Sequence, residues 1–211
     1  MKILLVGSTG HLGGRFKELL AINNKDEIHY LSRTNIRLLY QQNCLTCLET
    51  SYDLIINCVG IVGRNQMSTA CHEDMFLANI LLPYILACSI ERNGGFLIHF
   101  SSNSIFDSSK QNTRTIHTNP FTTSIYGQTK LLSEHSVSIT LPKNKYLIIR
   151  TPQQYSEFID FPRNLLSKLL INLSKSNVFT ITRNEIFSIA HVSAIAKLSL
   201  KLFREGTLGI V

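Results

Sequence analysis

Tyr126 and Lys130 bracket the segment Tyr126-Gly127-Gln128-Thr129-Lys130. On a helix that i, i+4 spacing puts both side chains on one face, one turn apart. An ammonium there favours the phenolate and pulls the tyrosine pKa down from its reference of about 10. The hydroxyl then becomes usable for proton transfer near neutral pH. A Tyr-x-x-x-Lys alone turns up by chance in many chains. Its weight here comes from Ser101-Ser102-Asn103, which closes an apolar run upstream. A serine hydroxyl at that strand end, Ser102 in particular, can hold the oxygen that Tyr126 protonates or deprotonates.

A second group of residues has the spacing to hold a dinucleotide. The first apolar run leads into Gly7-Ser8-Thr9-Gly10-His11-Leu12-Gly13, a G-x-x-G-x-x-G ahead of an amphipathic stretch. Gly7 permits a sharp turn, Gly10 a close approach of backbone to pyrophosphate, and Gly13 close helix–strand packing. The helix start offers unpaired N–H groups to phosphates. Gly7, Thr9, Gly10, His11, Leu12 and Gly13 are therefore the expected pyrophosphate site. About twenty residues on, where an acid would bind the adenosine ribose of NAD, the chain reads Leu31-Ser32-Arg33. An arginine at that point meets a 2′-phosphate, so Ser32 and Arg33 favour NADP(H) over NAD(H). The competing reading is that Arg33 is a solvent-facing loop residue. Asn57-Cys58-Val59-Gly60 ends the next strand, and Cys58, Val59 and Gly60 should line the same crevice. Cys58 reads as a small space-filler rather than a reactive thiol.

Strands and helices must alternate to bring these groups together. Runs apolar at nearly every position lie at 2–6, 54–59, 96–101 and 145–150, with weaker strands expected at 27–32 and 43–48. Helical patterns lie between them at 12–22, 74–92 and 126–140, with a kink or a start expected at Pro83. This is an α/β pattern: a Rossmann-type doubly wound parallel sheet with a small C-terminal substrate lobe. The expected division is a dinucleotide-binding domain at 1–150 and an abbreviated substrate-binding region at 151–211. Within the latter, helices are expected near 163–174 and 191–204, a strand near 178–181, and a strand start at 208–211. The polar stretch 107–124 reads as a long loop, either functional or disordered.

Composition narrows the class. The 211 residues are 44% hydrophobic and 17% charged, ordinary for a globular chain and enough for one buried α/β domain with a modest lobe. No run reaches the length of a membrane span, and the opening apolar run stops at Gly7, too short for a signal peptide core. The expected location is the cytoplasm, with no membrane partner. Five cysteines, including Cys44-x-x-Cys47, complete neither a disulfide framework nor a zinc set, and no metal is expected. The net charge of +7 is scattered, which argues against a nucleic-acid partner and for a solvated basic surface with a pocket for an anionic ligand. His99 reads as a hydrogen-bonded core residue. His11 is expected to meet the cofactor through its backbone. His117 and His191 have no partner that sequence supplies.

These segments occur in the order seen in the extended short-chain dehydrogenase/reductases, and they resemble the dTDP-4-dehydrorhamnose reductase-like (RmlD-type) branch. Lys2 to Gly13 resembles its opening "KILITGANGQLG", and His99 to Asp107 its "HISTDYVFDG". Ile125 to Glu134 resembles its "VYGxSKLxGE", and Phe76 to Pro83 its "VNxxxP" helix, which puts Asn79 at the family's asparagine in the cofactor site. The resemblance covers nearly the whole chain. It implies that Ser102 is the catalytic hydroxyl, Tyr126 the acid/base and Lys130 its supporting lysine, with Tyr126 and Lys130 also on the cofactor. It places Ser102, Asn103 and Arg150 toward the substrate. The implied activity is NAD(P)-dependent reduction of a 4-keto sugar on a nucleotide, in polysaccharide biosynthesis. Epimerase or dehydratase chemistry is one alternative. A non-catalytic NADP-binding regulatory or scaffold protein is another, and self-association as a homodimer is left open. Four departures stand out: Asn103 replaces the family's aspartate, Ile116-His117-Thr118 replaces an acidic cluster, Arg150-Thr151-Pro152-Gln153-Gln154-Tyr155 lacks the family's glycine after the tyrosine, and the C-terminal lobe is short.

Overall fold

The computed structural model describes residues 1–22, 25–32, 48–62, 69–106, 114–157, 165–174 and 188–211. Its main sheet has six strands: β1 (Lys2–Val6), β2 (Glu27–Leu31), β3 (Leu54–Asn57), β4 (Phe96–Ser102), β5 (Tyr146–Thr151) and β8 (Gly209–Ile210). They lie in the order β2-β1-β3-β4-β5-β8, and every pairing is parallel. The order reverses direction between β1 and β3, which opens a crevice at their C-terminal ends. Val6 is level with Leu31 on one side and Asn57 on the other, Asn57 with His99, and Ser102 with Thr151. Five loops therefore leave the sheet along one edge.

Apolar residues at every position of β1 after Lys2 make sense because both faces are covered. Leu4 and Val6 join a cluster with Ile55, Leu86, Ile90, Val137 and Ile148, whereas Ile3 and Leu5 join Phe16, Ile98, Val192 and Ile195 on the other face. The period of two along the strand splits one run between two cores. On the second face α1 (His11–Ala21) buries Leu12, Phe16 and Leu20 at i, i+4 and i+8. Phe16 is fully buried with its ring 5.7 Å from that of Phe100, and such a side chain stabilises the fold by about 1.5–3 kcal/mol.

The first face is covered by a long helical run and by α4 (Ile125–Thr140). The run comprises α2 (Thr69–Phe76), a wide π-turn (Leu77–Leu81) and α3 (Leu82–Asn93). The expected kink or start at Pro83 is met: a regular α-helix begins at Leu82 with Pro83 in its first turn, directly after the π-turn, and the helical run continues through both. A mid-helix proline loses one backbone hydrogen bond and its ring crowds the carbonyl four residues back, at position 79. The widened turn at Leu77–Leu81 sits where that crowding would fall. The expectation that no segment reaches membrane-span length is also corrected. The stretch His72–Asn93 does, with a mean hydropathy of 1.4, but half of it is buried. Its inner face, Leu82, Leu86 and Ile90, is core.

Beyond residue 150 the chain contributes to two places. β6 (Gln153–Tyr155) pairs in parallel with β7 (Ile189–His191) in a small second sheet. Between them in sequence lies α5 (Leu165–Ser174). α6 (Val192–Arg204) then joins the second core beside α1, and β8 completes the main sheet along β5. The expected strand at 178–181 lies outside the described residues, as does all of 43–48 except buried Leu48. Of the stretch 107–124, residues 114–124 are described; they turn at Thr115–Thr118 and return as an isolated bridge from Phe121 to Phe106.

Candidate active site

The glycine turn has the geometry its spacing demands. Gly7 adopts φ +85°, and its N–H donates to the Leu31 carbonyl at 2.7 Å. A Cβ on Gly13 would come within 2.0 Å of the Gly7 carbonyl oxygen, so only glycine lets α1 start this close to β1. No side chain caps that helix start. By contrast, Ser124 caps α4 and His191 caps α6. The N-cap residue, Gly10, thus offers no capping side chain to the first-turn N–H groups of α1. Thr9 is exposed beside them. The turn packs on the loop after β3: a Cβ on Gly7 would meet Val59 Cγ2 at 2.8 Å, and Cys58 N–H donates to the Val6 carbonyl. Burial pushes the Cys58 thiol up, away from the reactive thiolate. Gly60 is exposed and Ser32 half-buried on the same sheet edge. Arg33 lies outside the described residues.

Ser102 ends β4, and its Oγ accepts from the Ser104 N–H at 3.1 Å, nucleating one tight turn over Asn103–Ile105. The hydroxyl proton has only longer outlets, to Ser104 Oγ at 3.2 Å and Asn103 Oδ1 at 3.4 Å. Its neighbour Ser101 is interior, and its Oγ has no partner among the described residues. The Ser102 turn lies directly against α4. A Cβ on Gly127 would fall 2.1 Å from the Ser104 carbonyl oxygen, which locates the contact next to Tyr126. Tyr126 and Lys130 are both on α4, as their spacing predicted. Lys130 is 2% exposed. Burial lowers its pKa to about 8, against the opposing pull of Glu134. The lysine lies one helical turn from Tyr126 in sequence and is almost wholly shielded from water.

Residues 1–208 match the family described as the RmlD substrate binding domain. The chain belongs to that family. The fold is shared with a dTDP-4-dehydrorhamnose reductase from Clostridium acetobutylicum, at 22% identity and a TM-score of 0.78, over 100% of this chain and 72% of that one. A Bacillus anthracis dTDP-4-dehydrorhamnose reductase solved in complex with NADP gives 22% identity and a TM-score of 0.81, over 99% and 72%. The UDP-glucuronic acid 4-epimerase of Bacillus cereus, in complex with UDP-glucuronic acid and NAD, gives 17% and 0.79, over 100% and 76%. No curated protein matches the chain.

Two residues that the RmlD resemblance placed toward ligands have internal partners here. Asn79, in the π-turn, is fully buried. Its Oδ1 accepts from Ile61 N–H at 2.8 Å, and its Nδ2 donates to Ile61 carbonyl and to Thr129 Oγ1, both at 2.9 Å. Both amide protons are thus spent within the protein, and Asn79 ties the loop after β3 to α4. Thr129 in turn donates to the Tyr126 carbonyl at 2.8 Å. Arg150 forms a two-bond pair with Glu134, Nε to Oε1 at 3.0 Å and Nη2 to Oε2 at 2.8 Å, and stacks over Phe106. Asn103 is exposed at the crevice edge.

His11 also differs from expectation, because its side chain is engaged as well. Its Nε2 lies 2.5 Å from Ser156 Oγ, and burial with Arg15 and His191 nearby lowers its pKa. Beside it Glu157 bridges Arg15 and His191, joining α1 to the end of β6 and to β7. His191 therefore has partners after all, and its Nδ1 caps α6 by accepting from Ser193 N–H. Nothing in the sequence signals the contacts of His11 and Arg15, which span more than a hundred residues. Gly127, Thr129 and Glu134 were also passed over. Their signal was present: small or polar residues on the face of α4 that should have been apolar had it only been packing.

Proposed function

We propose that this RmlD-family chain binds a nicotinamide dinucleotide, NADP(H) in preference to NAD(H), and reduces a 4-keto sugar carried on a nucleotide. The observation that carries the proposal is the Ser102 turn seated on α4 at Gly127, between Tyr126 and a buried Lys130. The fit to a dinucleotide rests on the glycine cradle, which a single Cβ would fill, and on the uncapped start of α1. Gly7, Gly10, His11, Leu12 and Gly13 would hold the pyrophosphate; Val59 and Gly60 would line the adenosine side, and Lys130 the nicotinamide ribose. A bound dihydronicotinamide supplies the hydride for the carbonyl carbon.

The protein's own part is proton delivery and orientation. Ser102 Oγ–H donates to Ser104 Oγ at 3.2 Å and Asn103 Oδ1 at 3.4 Å, long bonds that it would exchange for one to the sugar carbonyl oxygen. Tyr126 transfers its hydroxyl proton to that oxygen, and the developing phenolate is stabilised by the Lys130 ammonium. A low-water site strengthens that interaction. The epimerase alternative uses the same residues, with hydride removed from a sugar carbon and then returned.

The test is a fluorescence titration of the purified protein with NADPH and NADH, in wild type, Tyr126→Phe and Arg33→Ala. NADPH should bind more tightly than NADH, survive Tyr126→Phe, and lose its advantage in Arg33→Ala. NADPH oxidation with a panel of 4-keto nucleotide sugars should then vanish in Tyr126→Phe. Binding with no turnover on any sugar would leave a cofactor-binding regulatory protein, and no binding of either dinucleotide would overturn both readings.

A further inference from the structure

His99 is fully buried in the middle of β4. Its ring is held at both ends. Asn57 Nδ2 lies 3.2 Å from Nδ1, and Ser133 Oγ lies 3.0 Å from Nε2. The proton positions in this chain follow from its ends. At one end Val59 N–H donates to Asn57 Oδ1 at 3.1 Å, which turns the amide N–H toward His99 and makes Nδ1 an acceptor. At the other end Ser133 spends its only proton on the Lys130 carbonyl at 2.7 Å, so its oxygen must accept from Nε2–H. Two independent constraints select the same state, a neutral imidazole protonated at Nε2. Burial and the nearby Lys130 charge also hold the His99 pKa well below its ordinary value.

The ends matter as much as the middle. Val59 belongs to the loop that packs on the glycine turn, and Lys130 carries the ammonium proposed to tune Tyr126. The chain therefore runs from the wall of the cofactor crevice, through β3 and β4, to the backbone of α4. A buried polar chain with every member satisfied specifies one relative placement of its anchors, because any slip leaves a donor or acceptor unpaired in a low-dielectric interior. An apolar contact would tolerate such a slip.

We infer that His99, locked as the Nε2–H tautomer between Asn57 and Ser133, is a positioning residue that sets α4 and its Lys130 against the Val59 loop. The inference rests on the proposed role of Lys130, but its first readouts do not. In protein labelled with 15N-histidine, a long-range 1H–15N spectrum at neutral pH should show His99 uncharged with its proton on Nε2. A proton on Nδ1, or a charged ring, overturns the inference. Amide exchange at residues 130–134 and NADPH affinity are then compared in His99→Leu, Ser133→Ala, their double variant and His99→Gln.

His99→Leu should speed exchange and weaken NADPH binding by about tenfold each, the effect of stranding one buried partner. His99→Gln, which keeps a donor and an acceptor, should recover most of both. The double variant removes both partners and should regain stability to urea while both defects persist. Full recovery of exchange and affinity in the double variant would reduce His99 to packing and overturn the inference. So would a His99→Gln variant no better than His99→Leu. Should wild type bind no dinucleotide, the functional proposal fails, while the tautomer and the exchange rates still decide the role of His99.

Discussion

The Cα of Gly127 approaches the Ser104 carbonyl so closely that a methyl group on it would lie 2.1 Å from that oxygen. Thr122 Oγ1 and Ser124 Oγ would be 2.6 and 2.8 Å away. The contact is between two backbones, so it cannot be relieved by a rotamer change. It is also what carries the Ser102 turn to Tyr126.

Gly127→Ala should therefore destabilise the fold, although alanine normally gains about 1 kcal/mol over glycine inside a helix. Overpacking of this kind costs about 1–3 kcal/mol, and the displacement it forces separates Ser102 from Tyr126. Urea unfolding should show the loss, and turnover should fall further than NADPH affinity. An unchanged urea midpoint would contradict the close approach.

Gly13 and Gly14 make a matched pair. A Cβ on Gly13 meets the Gly7 carbonyl oxygen at 2.0 Å, whereas one on Gly14 meets nothing within 4 Å. Gly13→Ala should weaken dinucleotide binding by at least about tenfold, because either α1 or the turn must move. Gly14→Ala should leave binding intact and stabilise the protein by about 0.5–1 kcal/mol. Thermal unfolding with and without NADPH separates the two effects.

Lys130 predicts a stability that rises in mild alkali. The folded protein releases this proton near pH 8, and the unfolded chain holds it until its ordinary value of 10.5. Between those values the unfolded state binds the extra proton, so raising the pH favours the folded state. Wild type without dinucleotide should gain stability relative to Lys130→Met across that interval, by about 1.4 kcal/mol for each pH unit crossed. Urea midpoints at several pH values measure the difference. A flat difference would place the Lys130 ammonium in water.

Glu134 and Arg150 form a pair whose side chains are 3% and 12% exposed. Glu134→Ala strands the arginine and should cost about 3–5 kcal/mol, whereas replacing both with apolar residues of similar size should restore most of it. The same Glu134→Ala change should lower the Lys130 pKa further, since Glu134 opposes the effect of burial there. A double-mutant cycle on Glu134 and Arg150 checks the first claim.

The fold was legible where a residue pattern maps to geometry without help from distant chain. β1 read as a doubly buried strand because Ile3 to Val6 leave no polar side, and α1 because Leu12, Phe16 and Leu20 recur each turn. Pro83 was legible too, because its missing N–H and its ring favour the first turn of a helix, and the α-helix starts at Leu82 right after the wider turn. Asn79 and Arg150 were placed by resemblance toward ligands, and their partners here, Ile61, Thr129 and Glu134, are distant in sequence. Local pattern says nothing of such pairs.

The sequence by itself determined the alternation of strand and helix, the glycine cradle, and Tyr126 and Lys130 on one helix face, because each depends on spacing within a few residues. Only the tertiary structure decided the rest: which buried polar groups satisfy one another. His99 finds Asn57 and Ser133 more than thirty residues away on either side, and His11 finds Ser156 across 145 residues of chain. A buried donor must be paired, but which acceptor it meets is set when parallel strands bring five loops to one edge.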